Sequence, residues 1–265
     1  VAFDPREAEI YNVDEFIIRL DPRRQGGPEK ARLEVTRPQV LLPLNKDRFN
    51  YEWVEGEMFR LSLGTPRQEK RFLAARYPIA RYHFLIAATT LRHQLLSRRH
   101  IGRIQDLLGI EPKLRIWFNS IGGAASVNDF HGHGILIKKA EEENEVRELL
   151  AGKKELRFPV EDVNVKRFDE IGKVSIGLLP DWPAGALVFE SEDEVQLDNI
   201  FFEFLLMLQI ENIPHNILFK KGKYIIYPRL TDLPEVFTLG INPAAPELSG
   251  LITLYDPKYK DTPPT

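Results

Sequence analysis

The densest run of chemically capable side chains is Phe118-Asn119-Ser120-Ile121-Gly122-Gly123-Ala124-Ala125-Ser126-Val127-Asn128-Asp129-Phe130-His131-Gly132-His133-Gly134, which holds two of the chain's 6 histidines. Read as an extended strand, its second part places Asp129, His131 and His133 on one face and Phe130, Gly132 and Gly134 on the other. Three readings compete for that titratable face. It is a solvated, hydrogen-bonded surface, or a two-histidine, one-carboxylate ligand set suited to zinc or non-haem iron, or a nucleophile for a phosphoryl group with a neighbouring imidazole that stabilises charge. The upstream loop favours the third. Gly122 and Gly123 allow the backbone to turn its amides, through Ala124, toward an anion, and Asn119 and Ser126 add side-chain donors. A metal site has no need of such a loop, so neither a metal nor another cofactor is expected.

The remaining histidines carry less. His83 lies in the apolar run His83-Phe84-Leu85-Ile86-Ala87, where a hydrogen-bonded structural role competes with a phosphate contact. His93 and His100 fall among Arg92, Arg98 and Arg99 and read as a solvated basic face, while His215 reads as support for a strand. Lys46, Arg48, Arg76 and Arg81 are cations of the kind that neutralise phosphates, but surface charge alone does not select among them.

The elements that must position these groups are short. Strands are expected at 31–36, 40–44, 59–63 and 83–87, then one helix over 91–108 capped by Thr89 or Thr90 and breakable near Gly102. A hairpin follows, with strands at 114–118 and 126–139 around the Gly-containing loop, then a polar helix at 141–150 and a charged, irregular connection over 153–172. The second half repeats this grammar. A strand at 185–189 precedes a helix near 197–210, whose Leu197, Ile200, Phe201, Phe204, Leu205 and Leu208 form one apolar stripe, and strands at 216–219 and 224–227 flank a turn at 220–223. Residues 1–27 read as charged and punctuated, with 21–28 as an exposed loop, and the last residues as a frayed tail.

Composition sets the outer bounds. The 265 residues are 43% hydrophobic and 28% charged, which excludes disorder and leaves room for either one large domain or two fused small ones. A net charge of −3 argues against nucleic acid as a partner. The absence of Cys excludes disulfides, thiolate zinc sites and cysteine nucleophiles. No apolar run approaches about 18 residues and no basic-then-apolar leader pattern is present, so a cytoplasmic protein without membrane contact is expected.

The run from Phe118 to Gly134 resembles the active-site segment of the GDP-hexose phosphorylases of the histidine triad superfamily, whose pattern is approximately F-N-S-L-G-A-x-A-S-[VI]-N-H-L-H-x-[HQ]. Tyr77-Pro78-Ile79 with His83-Phe84-Leu85-Ile86 resembles the superfamily's P-[IV]-x-x-x-H-x-L-[VI] strand, and Pro38 to Tyr51, with Asn45-Lys46-Asp47-Arg48-Phe49-Asn50, resembles the phosphorylases' N-terminal segment. The segments Trp182 to Glu190, Asn212 to Leu218 and Ile241 to Gly250 are similar to family segments in the family's order.

The resemblance implies an α+β fold of two fused histidine-triad-like halves, with antiparallel sheets and flanking helices as in galactose-1-phosphate uridylyltransferase. The halves are expected at 1–152, carrying the catalytic hairpin, and 153–265, without a catalytic histidine. It implies a nucleotidyltransferase that phosphorolyses a nucleotide sugar, GDP-hexose plus phosphate giving GDP and hexose 1-phosphate through a nucleotidyl-histidine. His131 takes the nucleophilic position and His133 the phosphate-facing one, while Asn119, Ser120, Gly122, Gly123, Ala124, Ser126 and His83 bind substrate. Its partners are then the nucleotide sugar and inorganic phosphate, and a homodimer stays open.

Asp129 departs from the pattern, standing where the family has the first histidine of its triad. On the nucleophile's face it would raise the imidazole pKa and repel an anionic substrate, or else hydrogen-bond a neighbour and help orient His131. Dinucleoside-polyphosphate phosphorolysis, nucleotide hydrolysis and non-catalytic nucleotide binding are the rival functions, with a metal-site protein as the last option.

Overall fold

The computed structural model describes residues 9–13, 16–20, 40–54, 59–61, 70–75, 78–79, 82–137, 158–229 and 243–254. The expected strand at 31–36, the polar helix at 141–150 and the boundary between 152 and 153 lie outside the described residues. The described elements are β1 (Glu9–Val13), β2 (Phe16–Leu20), β3 (Phe59–Leu61), β4 (Lys70–Ala74), β5 (Phe84–Ala88), α1 (Arg98–Ile110), β6 (Leu114–Asn119), β7 (His131–Leu136), β8 (Lys166–Ile171), β9 (Val174–Leu178), β10 (Leu187–Glu190), α2 (Glu194–Ile210), β11 (His215–Lys220), β12 (Lys223–Pro228), α3 (Ala245–Leu248) and β13 (Leu251–Leu254).

The chain is α+β, built on a 10-stranded antiparallel sheet of order β3-β4-β5-β7-β6-β11-β12-β10-β9-β8. A small sheet β1-β2-β13 stands apart from it. The large sheet is two copies of one five-stranded unit joined through β6 and β11. In the first unit Ala74, Phe84, Gly134 and Ile116 form one row across β4, β5, β7 and β6. In the second, Leu178, Leu187, Ile226 and Ile217 form the same row across β9, β10, β12 and β11. The central pairing is itself symmetric, Phe118 facing Ile217 and Ile116 facing Phe219.

Alternation along the strands divides two cores. Ile116, Phe118, Ile217, Phe219, Tyr224 and Ile226 meet the inner faces of α1 and α2, through Ile101, Ile104 and Leu108 and through Leu197, Phe201 and Leu205. On the opposite face, Trp117, Leu218, Ile225 and Tyr227 pack with Phe158, Trp182, Leu248 and Leu251. Because β6 and β11 are covered on both sides, their apolar residues run nearly continuously.

Several boundaries differ from the sequence reading. Helix α1 begins at Arg98 and passes Gly102 unbroken to Ile110. Its cap is Ser97, whose Oγ accepts from the His100 amide while the Ser97 amide donates to His100 Nδ1 at 3.3 Å. Residues 89–97 stay irregular because they bury Gln94 and Leu96 as a loop. Residues 40–44 also form no strand, since they are held by side chains rather than by a β-ladder. Strand β7 starts only at His131, and residues 126–130 approach it as a bend. The supposedly irregular connection contains β8, exposed along its whole length, and is followed by β9.

Candidate active site

The two strands that carry the chemical segment open apart at Asn119 and His131, and an eleven-residue loop, 120–130, fills the gap. Gly122 and Ala124 both adopt left-handed backbone, with φ of 73° and 74°, and so reverse the chain twice. Gly123 has no room for a side chain, because a Cβ there would lie 2.7 Å from the His215 carbonyl oxygen. Its amide donates to Ser120 O at 2.9 Å and the Ala125 amide donates to the same oxygen at 3.2 Å. The Gly123 amide therefore closes the turn instead of facing outward, contrary to the expected anion cradle. Ser120 is also turned inward. Its fully buried hydroxyl donates to Ile121 O and accepts the His215 amide at 2.8 Å, so it latches the loop to the second half.

Asn119 stands at the same junction. Its Oδ1 accepts from Asn216 Nδ2 at 2.7 Å and from the Ala245 amide at 2.9 Å. That fixes the orientation of the carboxamide and directs its amino group elsewhere, with no acceptor among the described residues. The half-buried Ser126 hydroxyl likewise has no hydrogen-bond partner among the described residues. Asn119 and Ser126 are thus the loop's available side-chain donors.

His131 is 3% exposed and held from both sides. The Asp129 carbonyl accepts its Nδ1–H at 2.8 Å, which leaves the lone pair on Nε2. Nε2 has no hydrogen-bond partner among the described residues. Burial lowers the imidazole pKa to about 4, outweighing the bond to Asp129 O, so the ring is neutral at neutral pH.

His133 follows two residues on, on the same face, its ring 5.4 Å from that of His131 and stacked on Trp117 at 5.1 Å. The third ring, His83, approaches through Nε2, 3.1 Å from His133 Nδ1. Bonding fixes the tautomers in turn. The Ile79 amide donates to His83 Nδ1 at 3.1 Å, so His83 in its neutral form carries hydrogen on Nε2, gives it to His133 Nδ1, and leaves His133 with hydrogen on Nε2. The arrangement pairs an imidazole lone pair with a neighbouring imidazole N–H, which is what attack on a phosphoryl group with charge stabilisation needs.

Asp129 overturns the expectation drawn from alternation. It precedes the strand, and its fully buried carboxylate accepts the Tyr51 amide through Oδ2 and the Arg92 amide through Oδ1, each at 2.9 Å. The imidazole pKa falls rather than rises, and the direct bond to the His131 ring comes from the backbone carbonyl of Asp129 and not from its carboxylate. Burial also pushes the Asp129 pKa up, against the three backbone amides, of Arg92, Tyr51 and Phe130, that pull it down.

Two positioning groups escaped the sequence reading. Gln94, completely buried, spans the gap between the strands. Its Oε1 accepts the His131 amide at 2.8 Å and its Nε2 donates to His131 O and to Asn119 O at 2.9 Å each, replacing the missing ladder bonds. Tyr51 places its ring 5.0 Å from that of His131. No local pattern marks Gln94, and Tyr51 closes the N-terminal segment that resembles the phosphorylases without being singled out in it. Of the expected basic face Arg92, Arg98 and Arg99 are exposed, but His100 turns inward and stacks on Phe130 at 3.8 Å on the helix side of the sheet. His215 lies behind the loop, fully buried, with Nδ1 bonded to Ile213 O at 2.9 Å.

Among the described residues no group of three or more His, Asp or Glu is gathered as a metal site, and no helix is long and apolar enough to cross a membrane. Residues 158–261 match the family model described as GDPGP1-like, C-terminal domain. No curated protein matches the sequence. Among solved structures, the yeast Ap4A phosphorylase Apa2 in complex with Ap4A aligns at a TM-score of 0.58 and 14% identity, over 98% of this chain and 86% of that one. The same yeast enzyme in complex with AMP aligns at 0.55 and 14%, over 96% and 82%. The likeness shows a common fold across nearly the whole chain.

Proposed function

We propose that the chain is a nucleotidyltransferase of the histidine triad superfamily that phosphorolyses a nucleotide sugar, GDP-hexose being the substrate its active-site segment resembles most. The observation that carries this reading is the bonding of His131. With hydrogen held on Nδ1 by the Asp129 carbonyl and burial keeping the ring neutral, Nε2 is the atom that attacks.

Attack of Nε2 on the α-phosphorus breaks the bond to the bridging oxygen, releases hexose 1-phosphate and leaves a nucleotidyl group on His131. A phosphate oxygen then attacks the same phosphorus, returning the imidazole and forming the nucleoside diphosphate. The leaving phosphate is a stable anion, so positioning and charge neutralisation matter more than acid catalysis. The Nε2–H of His133, set by His83, and the amide of Asn119 with the Ser126 hydroxyl serve that purpose. The match of the second half to a GDPGP1-like domain supports the sugar-nucleotide reading.

A second substrate class, dinucleoside polyphosphates, is favoured by the likeness to the yeast Ap4A phosphorylase. One experiment decides between them: a phosphate-dependent assay of GDP-glucose, GDP-galactose, GDP-mannose, UDP- and ADP-sugars and Ap4A, with intact-mass detection of the adduct. A GMP adduct that requires His131, with hexose 1-phosphate released, establishes the first; an AMP adduct from Ap4A establishes the second. Full turnover by His131→Ala would remove the nucleophile, and product without phosphate would make the enzyme a hydrolase.

A further inference from the structure

The segment over the nucleophile is tied down by the catalytic loop itself. Residues 40–54 have no ladder of their own to the sheet, and side chains hold them instead. Asn212 Oδ1 accepts the Val40 amide at 2.8 Å, and Asn128 Nδ2 donates to Leu42 O at 3.0 Å and Pro43 O at 3.2 Å. Asp129 Oδ2 takes the Tyr51 amide at 2.9 Å, and the Arg71 guanidinium donates to Tyr51 O at 2.6 Å and to Val54 O. Tyr51 is thereby gripped at both its amide and its carbonyl, with its ring against His131.

The other oxygen of Asp129 grips a different segment. Oδ1 takes the Arg92 amide at 2.9 Å, and Arg92 O accepts the Phe130 amide at 2.9 Å, so the residue next to the nucleophile is bonded to the loop that supplies Gln94. One buried carboxylate therefore joins three segments, 40–54, 89–97 and 126–130, at the point where the last delivers His131. Its shape suits the task, since two oxygens accept two backbone amides arriving from opposite segments. A histidine at this position, with one acceptor nitrogen per neutral ring, could not meet both amides at once.

We propose that Asp129 is a positioning residue for the transfer reaction, a carboxylate clamp that fixes Tyr51 and the Arg92 loop about His131 and so holds the attacking Nε2 in line with the substrate. The proposal rests on His131 being the nucleophile, and its effect is on the transfer step, with little effect on binding. A displacement of the attacking atom by about 1 Å suffices to slow a positioned reaction about 100-fold.

The test compares wild type, Asp129→Asn and Asp129→Glu in the full chain by three readouts. They are amide hydrogen exchange at Tyr51 and Arg92, the ring nitrogen shifts of His131 by NMR, and the single-turnover rate of adduct formation with its concentration dependence. Asp129→Asn keeps the shape but turns an NH2 toward one of the two amides. One amide is then expected to lose protection, the His131 ring signals to move, and adduct formation to slow by about 10- to 100-fold with half-saturation changed less than about 3-fold. Asp129→Glu, which keeps the charge on a longer arm, is expected to recover part of the amide protection and part of the rate. A rate for Asp129→Asn within about 3-fold of wild type, with amide protection lost, would overturn the proposal and leave the carboxylate a purely structural tie. If wild type itself forms no adduct on any nucleotide, the transfer reading fails separately. The clamp is then judged by the His131 signals, and unmoved signals beside lost amide protection overturn it.

Discussion

Gln94→Leu tests whether one side chain substitutes for the missing ladder between β6 and β7. The carboxamide makes three hydrogen bonds, to the His131 amide, His131 O and Asn119 O, in a site with no exposure at all. Each buried bond contributes about 1 kcal/mol net, and each backbone group left unmet costs about 1–3 kcal/mol. Leucine fills much of the volume and restores some apolar contact, so the expected loss is roughly 3–6 kcal/mol. Against a total stability of about 5–15 kcal/mol for a domain, the variant folds only at low temperature and low denaturant. Urea unfolding followed by Trp fluorescence reads the loss as a fall in midpoint at constant slope. Gln94→Glu separates the donor from the acceptor role. It keeps an oxygen for the His131 amide but faces two carbonyls with a second oxygen, so the folded state favours the protonated acid. Its pKa is thereby raised above the unfolded value of about 4.3, and the variant's stability deficit grows as pH rises from there and shrinks as pH falls toward it. A Gln94→Leu loss below 1 kcal/mol, or a Gln94→Glu variant whose deficit ignores pH, would refute the account of the gap.

The other expectations are shorter. His83→Leu removes the donor that sets the His133 tautomer, and adduct formation should fall by about 10- to 100-fold with the near-UV spectrum unchanged; an unchanged rate would remove the relay. His131 and His215 are both lowered from 6.5 to about 4 by burial, so the unfolded chain takes up their protons first. Their contribution is complete above pH 6.5 and is lost as pH falls from 6.5 to 4, on the order of 3 kcal/mol for each ring, and His215→Phe should flatten that slope in acid titrations of stability. Arg115→Met strips the buried Glu161 of its bidentate partner, leaving Lys220 alone, and should cost about 3–5 kcal/mol by urea unfolding. The double variant with Glu161→Leu should recover most of it, and failure to recover would mean that the apolar replacements pack badly.

The segment from Asn119 to His133 stands out as a candidate because its information is local: glycines, an amide, a serine and two histidines within one short run. The duplication was readable as repeated grammar, and the stripe on α2 appears with Leu197, Phe201, Leu205 and Leu208 buried. What escaped was set by contacts far along the chain. Asp129 looked like a strand residue because alternation was extended past the true start at His131, and its partners Tyr51 and Arg92 lie 78 and 37 residues away. Gln94 carries no signal of its own, since a glutamine in a loop is ordinarily exposed. Strand β8 was missed for the opposite reason: it is an edge strand exposed on both faces, so no apolar alternation marks it.

The register explains why one site, and not two, is built from a doubled fold. Equivalent rows place Lys223 where the first unit has His131, Ile225 where it has His133, and Lys220 where it has Asn119. The long loop of the first hairpin is reduced in the second to Lys221 and Gly222, the latter at φ 70°. Lys223 pairs with Glu190 at 3.1 Å and Lys220 with the buried Glu161 at 2.9 Å, so the positions equivalent to His131 and Asn119 carry charge-paired lysines. What the second unit gives the first is support from behind: the His215 amide on Ser120, and Asn216 on Asn119 and on Gly123 O. The 120–130 loop is thus shaped from behind by the second unit. Asn216→Ala should accordingly loosen the loop and slow adduct formation at His131, although Asn216 is bonded to the loop and not to His131. Transfer at the wild-type rate by a folded Asn216→Ala protein would show that the first half shapes its loop alone.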